Sequence, residues 1–327
     1  MKVIYARNVN DAYAIGMNYL EEIGVAQNSR AGQVIVAPEP VTTTYTDPRE
    51  RVLFNKDRKA NPFFHLMESF WMLAGCNDVA WITQFNKSFA QFSDDGETFH
   101  GAYGHRWRRH FGIDQLNDAI TMLRNDPWTR RCYMAMWDAP ADFDKQGKDF
   151  PCNVGIHFQV RPTGRLDMTV FNRSNDIIWG AYGANAVHMS FLHEYVSVAT
   201  GIPMGHYHQV SDNYHAYVEI MEKVGTPDPH PLCPYERGEV RALKLLQEHE
   251  TLDMLRADIF NLVSYKLGDD MYQFDTHFFQ GVVAPVLLAF KRYKLGQVPQ
   301  AHFEAQSIIA TDWKKACTQW LNNKLGM

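Results

Sequence analysis

The chain has 327 residues, of which 46% are hydrophobic and 21% charged. That is enough for one large globular domain or two of ordinary size, and it excludes a disordered or fibrous chain. Thirty-two basic against 37 acidic residues leave a formal net charge of -5, which gives no ground for direct nucleic-acid or membrane binding.

The opening MKVIYARNVNDAYAIG lacks the unbroken apolar run of a signal peptide. No stretch reaches the roughly 18 apolar residues of a membrane span. Ala12, Ile15, Leu20 and Ile23 recur near helical spacing, which predicts a helix over residues 10–25. Ser29-Arg30-Ala31-Gly32 reads as a turn into an extended run at 33–37, and the Pro/Thr-rich stretch 38–48 as a surface loop. Residues 63–74 are apolar nearly all round, the pattern of an interior helix, and carry one carboxylate, Glu68. Residues 93–97 form a polar turn, 101–107 (GAYGHRW) a Gly-rich aromatic segment, and 116–123 a short amphipathic helix.

Three β-type runs follow at 132–137, 154–161 and 166–171, the last two joined by Pro162-Thr163-Gly164, a hairpin signal. Helices are predicted over 186–200, closed by Gly201, and over 213–223, stopping before Pro227-Asp228-Pro229. From residue 239 onward the pattern is three helical segments without a strand. Strands joined by hairpins as well as helices predict an α+β fold rather than a doubly wound parallel sheet. A change of character near residue 230 predicts a catalytic domain over 1–230 with a helical C-terminal extension, 231–327, packed on it.

Five cysteines, an odd number with no CxxC pair, argue against a disulfide framework or a zinc knuckle and for a reducing, cytoplasmic compartment. The 14 histidines show no HExxH spacing, so no metal is expected. Neither GxGxxG nor GxxxxGK[ST] occurs. Cys152 follows Pro151 at the mouth of a predicted strand. Alone it would be a small buried hydrophobe. Arg173 some twenty residues on favours a thiolate, the nucleophilic form, and Arg173-Ser174 offers a guanidinium fork beside a hydroxyl, suited to phosphate. The plainer alternative is a solvated strand end with an Arg173–Asp176 pair. Arg130-Arg131 and Arg30 suit solvated edges equally well, and His215 and Tyr217 suit helix capping.

The order of these pieces resembles the thymidylate synthases and related pyrimidine-nucleotide hydroxymethylases. They run Arg30-x-Gly, Glu68 on its apolar helix, Tyr103-Gly-x-x-Trp107, Arg130-Arg131, Pro151-Cys152, Arg173-Ser174-x-Asp176, Asn185, and His215-x-Tyr217. The resemblance spans roughly residues 10–225. It implies the thymidylate synthase-like fold, a mixed sheet flanked by helices, and catalysis by Cys152, Glu68, Tyr103 and Asp176. Cys152 would add to C6 of a pyrimidine nucleoside monophosphate, Tyr103 would help remove the C5 proton, and Glu68 would hold a water network. Arg30, Arg173 and Ser174 would bind the 5′-phosphate, joined by Arg130 and Arg131 from the second subunit of a homodimer with shared active sites. Asn185 would read the base edge, and His215 and Tyr217 the sugar. The co-substrate implied is 5,10-methylenetetrahydrofolate.

The sequence departs from the synthase pattern at several points. Asn153 follows the nucleophile where a histidine is usual, residues 85–92 hold phenylalanines without a tryptophan, and residues 180–185 look one residue long. The chain closes on Trp320-Leu-Asn-Asn-Lys-Leu-Gly-Met327 rather than a short carboxylate-ended tail. Less shielding of the reactive methylene admits water in place of hydride, so the expectation is a deoxycytidylate (dCMP) hydroxymethylase. The alternatives are a deoxyuridylate (dUMP) hydroxymethylase, a thymidylate synthase or a CMP hydroxymethylase. From other classes, a non-catalytic nucleotide-binding protein leaves the nucleophile unexplained, and a cysteine hydrolase leaves the arginines unexplained.

Overall fold

The computed structural model describes residues 1–228, 232–269 and 272–325. The expected division at 230/231, Pro229 and the final Gly326-Met327 lie outside the described residues. The chain begins with strand β1 (Lys2–Ala6), helix α1 (Val9–Ile23), the hairpin β2 (Val25–Ser29) and β3 (Gly32–Val36), and β4 (Val41–Tyr45). Asn8 caps α1, its side-chain oxygen accepting from the backbone N–H of Asn10 and Asp11. Four helices come next: α2 (Pro62–Leu73), α3 (Val79–Ile82), α4 (Tyr103–Arg108) and α5 (Gln115–Asn125). Then follow β5 (Tyr133–Ala135), α6 (Ala139–Asp142), β6 (Asn153–Val160), β7 (Leu166–Asp176), α7 (Asn185–Thr200), β8 (Met204–Tyr217) and α8 (Val218–Val224). The C-terminal part holds α9 (Leu252–Ser264), α10 (Ala284–Lys294), α11 (Val298–Ser307) and α12 (Thr311–Leu325).

The sheet order is β1-β4-β8-β7-β6-β5, with β3 also paired to β8 and β2 to β3. Pairs β1/β4 and β7/β8 are parallel and the others antiparallel, so the sheet is mixed and the fold is α+β, with a helical C-terminal part. The parallel β7/β8 pair needs a crossover, and α7 supplies it. Gly201 ends α7 with φ +73°, a left-handed cap that costs glycine nothing.

Three local expectations are corrected. The stretch 38–48 is not a surface loop, because its β-branched run Val41-Thr-Thr-Thr-Tyr45 forms β4 between β1 and β8. Residues 213–217 are not helical, because β8 runs on to Tyr217 with β7 on one side and β3 on the other, and the helix begins only at Val218. The Gly-rich segment, to which the sequence assigns no element, is helix α4, whose Gly104 lies so close to α2 that a Cβ would meet Met72 O at 2.0 Å. The C-terminal part holds four helices among the described residues rather than three.

Helix α2 is buried along its whole length. Toward the C-terminal helices it packs aromatic rings: Phe63 lies 5.3 Å from Phe290 and 5.2 Å from Trp320, and Phe70 lies 4.6 Å from Phe279. One apolar cluster therefore runs from β1 to α12. That packing fixes α2, and with it Glu68, against both halves of the chain.

Candidate active site

The carboxyl ends of β7 and β8 lie side by side, Ser174 opposite Asn213 and Asp176 opposite His215. Antiparallel β6 brings its amino end to the same edge, so Cys152 sits beside Arg173, whose N–H and Nε both reach back (to Cys152 O and Pro151 O, each 3.0 Å). The β2–β3 turn closes the space from the other side. The result is a cleft of about 360 Å³ lined by Arg30, Arg173, Ser174, Asn213, His215 and Tyr217, among others. Residues two apart on a strand share a face, so β8 turns both the His215 and Tyr217 rings into the cleft, 5.6 Å apart. Arg30 leans across to the carbonyls of Gly147 (3.3 Å) and Lys148 (3.4 Å).

Burial pushes the Cys152 thiol above its ordinary value, while Arg173, a hydrogen bond with Tyr103 and Arg30 pull it down. Tyr103 opens α4, and burial together with the neighbouring Cys152 holds its hydroxyl well above the usual range. Glu68 is 3% exposed, with one carboxylate oxygen 3.0 Å from His188 Nε2. Asp176 caps the π-helical turn Ile177–Ala184, accepting from Trp179 N at 2.5 Å. Burial raises its carboxyl, against the Trp179 amide, His215 and Arg58. Its second oxygen is buried with no hydrogen-bond partner among the described residues.

Among the described residues, Asp167, His206 and His208 place ligand-type atoms close together. The Asp167 carboxylate, however, already accepts from Arg161 Nε (2.8 Å), His206 N (2.8 Å) and His208 (3.2 Å), so its oxygens are committed to the protein.

A family model described as thymidylate synthase matches residues 20–273. A protein of Pseudomonas phage M6 named deoxyuridylate hydroxymethyltransferase is 45% identical, over 99% of this chain and 95% of its own. Proteins of the same name from Bacillus phage SP01 and Delftia phage PhiW-14 are each 37% identical, over 58% and 55% of this chain and 52% of their own lengths.

The chain belongs to the thymidylate synthase family. It is accordingly a one-carbon transferase, and thymidylate synthase-like enzymes take a nucleotide and methylenetetrahydrofolate as substrates. Two features of this family member were not legible in its sequence. Arg58, 3% exposed, is lowered to about 10 by burial, against Asp176 and Tyr13; its guanidinium lies 4.0 Å from the centre of the half-exposed Trp179 ring. Nothing in the local sequence marks Arg58, since its partners Ile178 O and Trp179 lie about 120 residues away. His188 beside Glu68 is hidden in the same way, on α7. Arg130 and Arg131, by contrast, are exposed and are not among the residues lining the cleft of their own chain. Among the described residues no helix is long and apolar enough to cross a membrane.

Proposed function

We propose that this enzyme hydroxymethylates dUMP at C5, taking the one-carbon unit from 5,10-methylenetetrahydrofolate and the hydroxyl from water. The observation that carries it is the cleft in which a nucleophile-bearing edge meets two arginines, a serine and two sugar-facing rings. The naming of a relative that matches nearly end to end supports the uracil nucleotide. The dCMP preference drawn from the sequence rested on departures around the methylene, which bear on the last step rather than on the base, so uracil replaces cytosine as the preferred reading.

Arg30, Arg173 and Ser174 hold the 5′-phosphate dianion by charge-assisted hydrogen bonds, and His215 and Tyr217 hold the deoxyribose 3′-hydroxyl. Cys152 adds to C6, with Arg173 favouring the thiolate. Tyr103, in hydrogen-bond contact with Cys152, helps remove the C5 proton. Asn185, 7% exposed, reads N3 and O4 of the base. When bound, the folate supplies the methylene group. The unpaired Asp176 oxygen and the Trp179 face are suited to its pterin, the first as an acceptor and the second as a stacking surface. Glu68, with His188 at 3.0 Å, positions the water that ends as the hydroxyl. Arg130 and Arg131 complete the phosphate site of the partner subunit in a homodimer. The division into a catalytic part (1–230) and an extension (231–327), and a reducing cytoplasmic setting, belong to the same reading; the five cysteines are free.

Mass spectrometry of the products from dUMP, dCMP and CMP, each with methylenetetrahydrofolate, tests the reading. The expected result is 5-hydroxymethyl-dUMP together with tetrahydrofolate. A 5-methyl product with dihydrofolate overturns the water step, and turnover confined to dCMP overturns the base.

A further inference from the structure

A carboxamide can present uracil-type or cytosine-type contacts simply by turning over, because its two ends differ only in donor or acceptor character. Uracil offers N3–H as donor and O4 as acceptor; cytosine offers the reverse. The orientation of Asn185 is therefore a specificity element, and the residues behind it show what sets that orientation. Asn185 Nδ2 donates to Asn175 Oδ1 at 3.1 Å. Asn175 Nδ2 donates to Gln209 Oε1 at 2.5 Å and to Ser211 Oγ at 2.9 Å. Gln209 Nε2 donates to the backbone carbonyl of Ala181 at 3.1 Å, and that carbonyl also accepts from Tyr45 Oη at 3.2 Å.

The far end of this relay has no freedom. A backbone carbonyl only accepts, so Gln209 must turn its nitrogen toward Ala181 and its oxygen toward Asn175. Asn175 must then turn its nitrogen toward Gln209 and its oxygen toward Asn185, which in turn must donate. Asn175 and Gln209 are 2% and 1% exposed, so water is not at hand to repair a mismatch. A turned-over Asn185 would set two carbonyl oxygens against each other and leave both unpaired in the interior.

We propose that Asn175 and Gln209 are positioning residues that lock the polarity of the Asn185 amide and so fix the choice between uracil and cytosine. Neither touches the nucleotide; both act through Asn185. The proposal rests on the reading of Asn185 as the base-contacting residue. It adds that base choice is held by three buried amides anchored on the Ala181 carbonyl.

The test compares kcat/KM for dUMP and dCMP in the full-length enzyme and in Gln209→Leu, Asn175→Ala and Asn175→Asp, with thermal unfolding of each to show that it folds. Gln209→Leu frees Asn175 to turn, and Asn175→Ala frees Asn185 directly. In both, the ratio between the favoured and the disfavoured base is expected to fall about ten- to hundredfold, the equivalent of one buried mismatch removed. Asn175→Asp, which burial holds protonated, donates its O–H to Gln209 Oε1 and keeps an acceptor facing Asn185, and is expected to hold the ratio near that of the unaltered enzyme. The proposal is overturned if the two leucine and alanine variants lose activity on both nucleotides equally, as a purely structural role would make them. The unaltered enzyme alone reports which base is favoured, so an error in that reading is separable from failure of the relay.

Discussion

At Cys152 two opposing influences meet. Burial works against the thiolate, and Arg173, Tyr103 and Arg30 work for it. Burial prevails in the free protein, so the thiol titrates above its ordinary value of about 8.5 and is mostly protonated near neutrality. Alkylation of Cys152 by iodoacetamide should accordingly be slow at pH 7 and accelerate only as pH rises above the ordinary thiol range. Arg173→Gln removes the largest influence favouring the thiolate, so its alkylation curve should move to still higher pH. A curve unchanged by that substitution would mean the arginine exerts no field at the sulfur. Replacing the sulfur itself, Cys152→Ser, should abolish turnover while leaving dUMP binding measurable by calorimetry, because the proposed phosphate and sugar contacts lie on other residues.

The elements that carry these residues are held by contacts too close to loosen. Gly104 lets α4 rest directly on the backbone of α2, and so sets the separation of Tyr103 from Glu68. Gly104→Ala should force the two helices apart, costing about 1–3 kcal/mol in urea unfolding and lowering kcat more than nucleotide affinity. At the other side of the molecule, Asp312 in the first turn of α12 is buried against Tyr235 Oη (2.9 Å), and burial raises it to about 6. A carboxyl with a higher pKa folded than unfolded, where it is near 3.9, binds its proton more tightly in the native state. Its contribution to stability is therefore lost as pH rises from about 4 to 6, a change of roughly 3 kcal/mol. Asp312→Asn should flatten that slope, so that unfolding midpoints at pH 4.5 and 7.5 differ less than in the unaltered protein.

What the sequence made legible at this scale follows from locality. Cys152 and Arg173-Ser174-x-Asp176 could be read because each group is short and sits where a strand begins or ends. His215-x-Tyr217 is legible as a pair although its strand reads as a helix start, since the two-residue spacing is the same in either element. The β4 strand was masked by the flanking prolines at 38, 40 and 48, and the continuation of β8 by polar residues whose pairing comes from β7 and β3. Arg58, His188 and the Asn175–Gln209 pair left no local trace, because their partners are distant in the chain (120 residues from Arg58 to Ile178, 34 from Asn175 to Gln209) and meet only on folding.

For the molecule as a whole, the proposed reading leaves the cleft short of positive charge, since only Arg30 and Arg173 of its own chain line it to meet a phosphate dianion. Arg130 and Arg131 are exposed and close to the exposed rings of Trp128 and Tyr133. The homodimer reading makes a sharp prediction for mixed assemblies. Co-refolding inactive Cys152→Ser with an inactive Arg130→Ala, Arg131→Ala double variant should restore activity, since one of the two sites then has both its nucleophile and its partner's arginines intact. If the arginines serve their own chain, mixing restores nothing.

The parallel β7/β8 pair carries a last consequence, for the order in which the molecule assembles. The proposed phosphate and sugar contacts are drawn from position 30, from 173–174 and from 215–217, and β8 is the strand against which β3, β4 and β7 all register. Contacts so distant along the chain form slowly, because loop closure must precede any reward. Helices such as α1 and α12 have no such delay. During refolding, the capacity to bind nucleotide should therefore emerge well after the far-ultraviolet helical signal, making dUMP a reporter of the moment the central strand is seated.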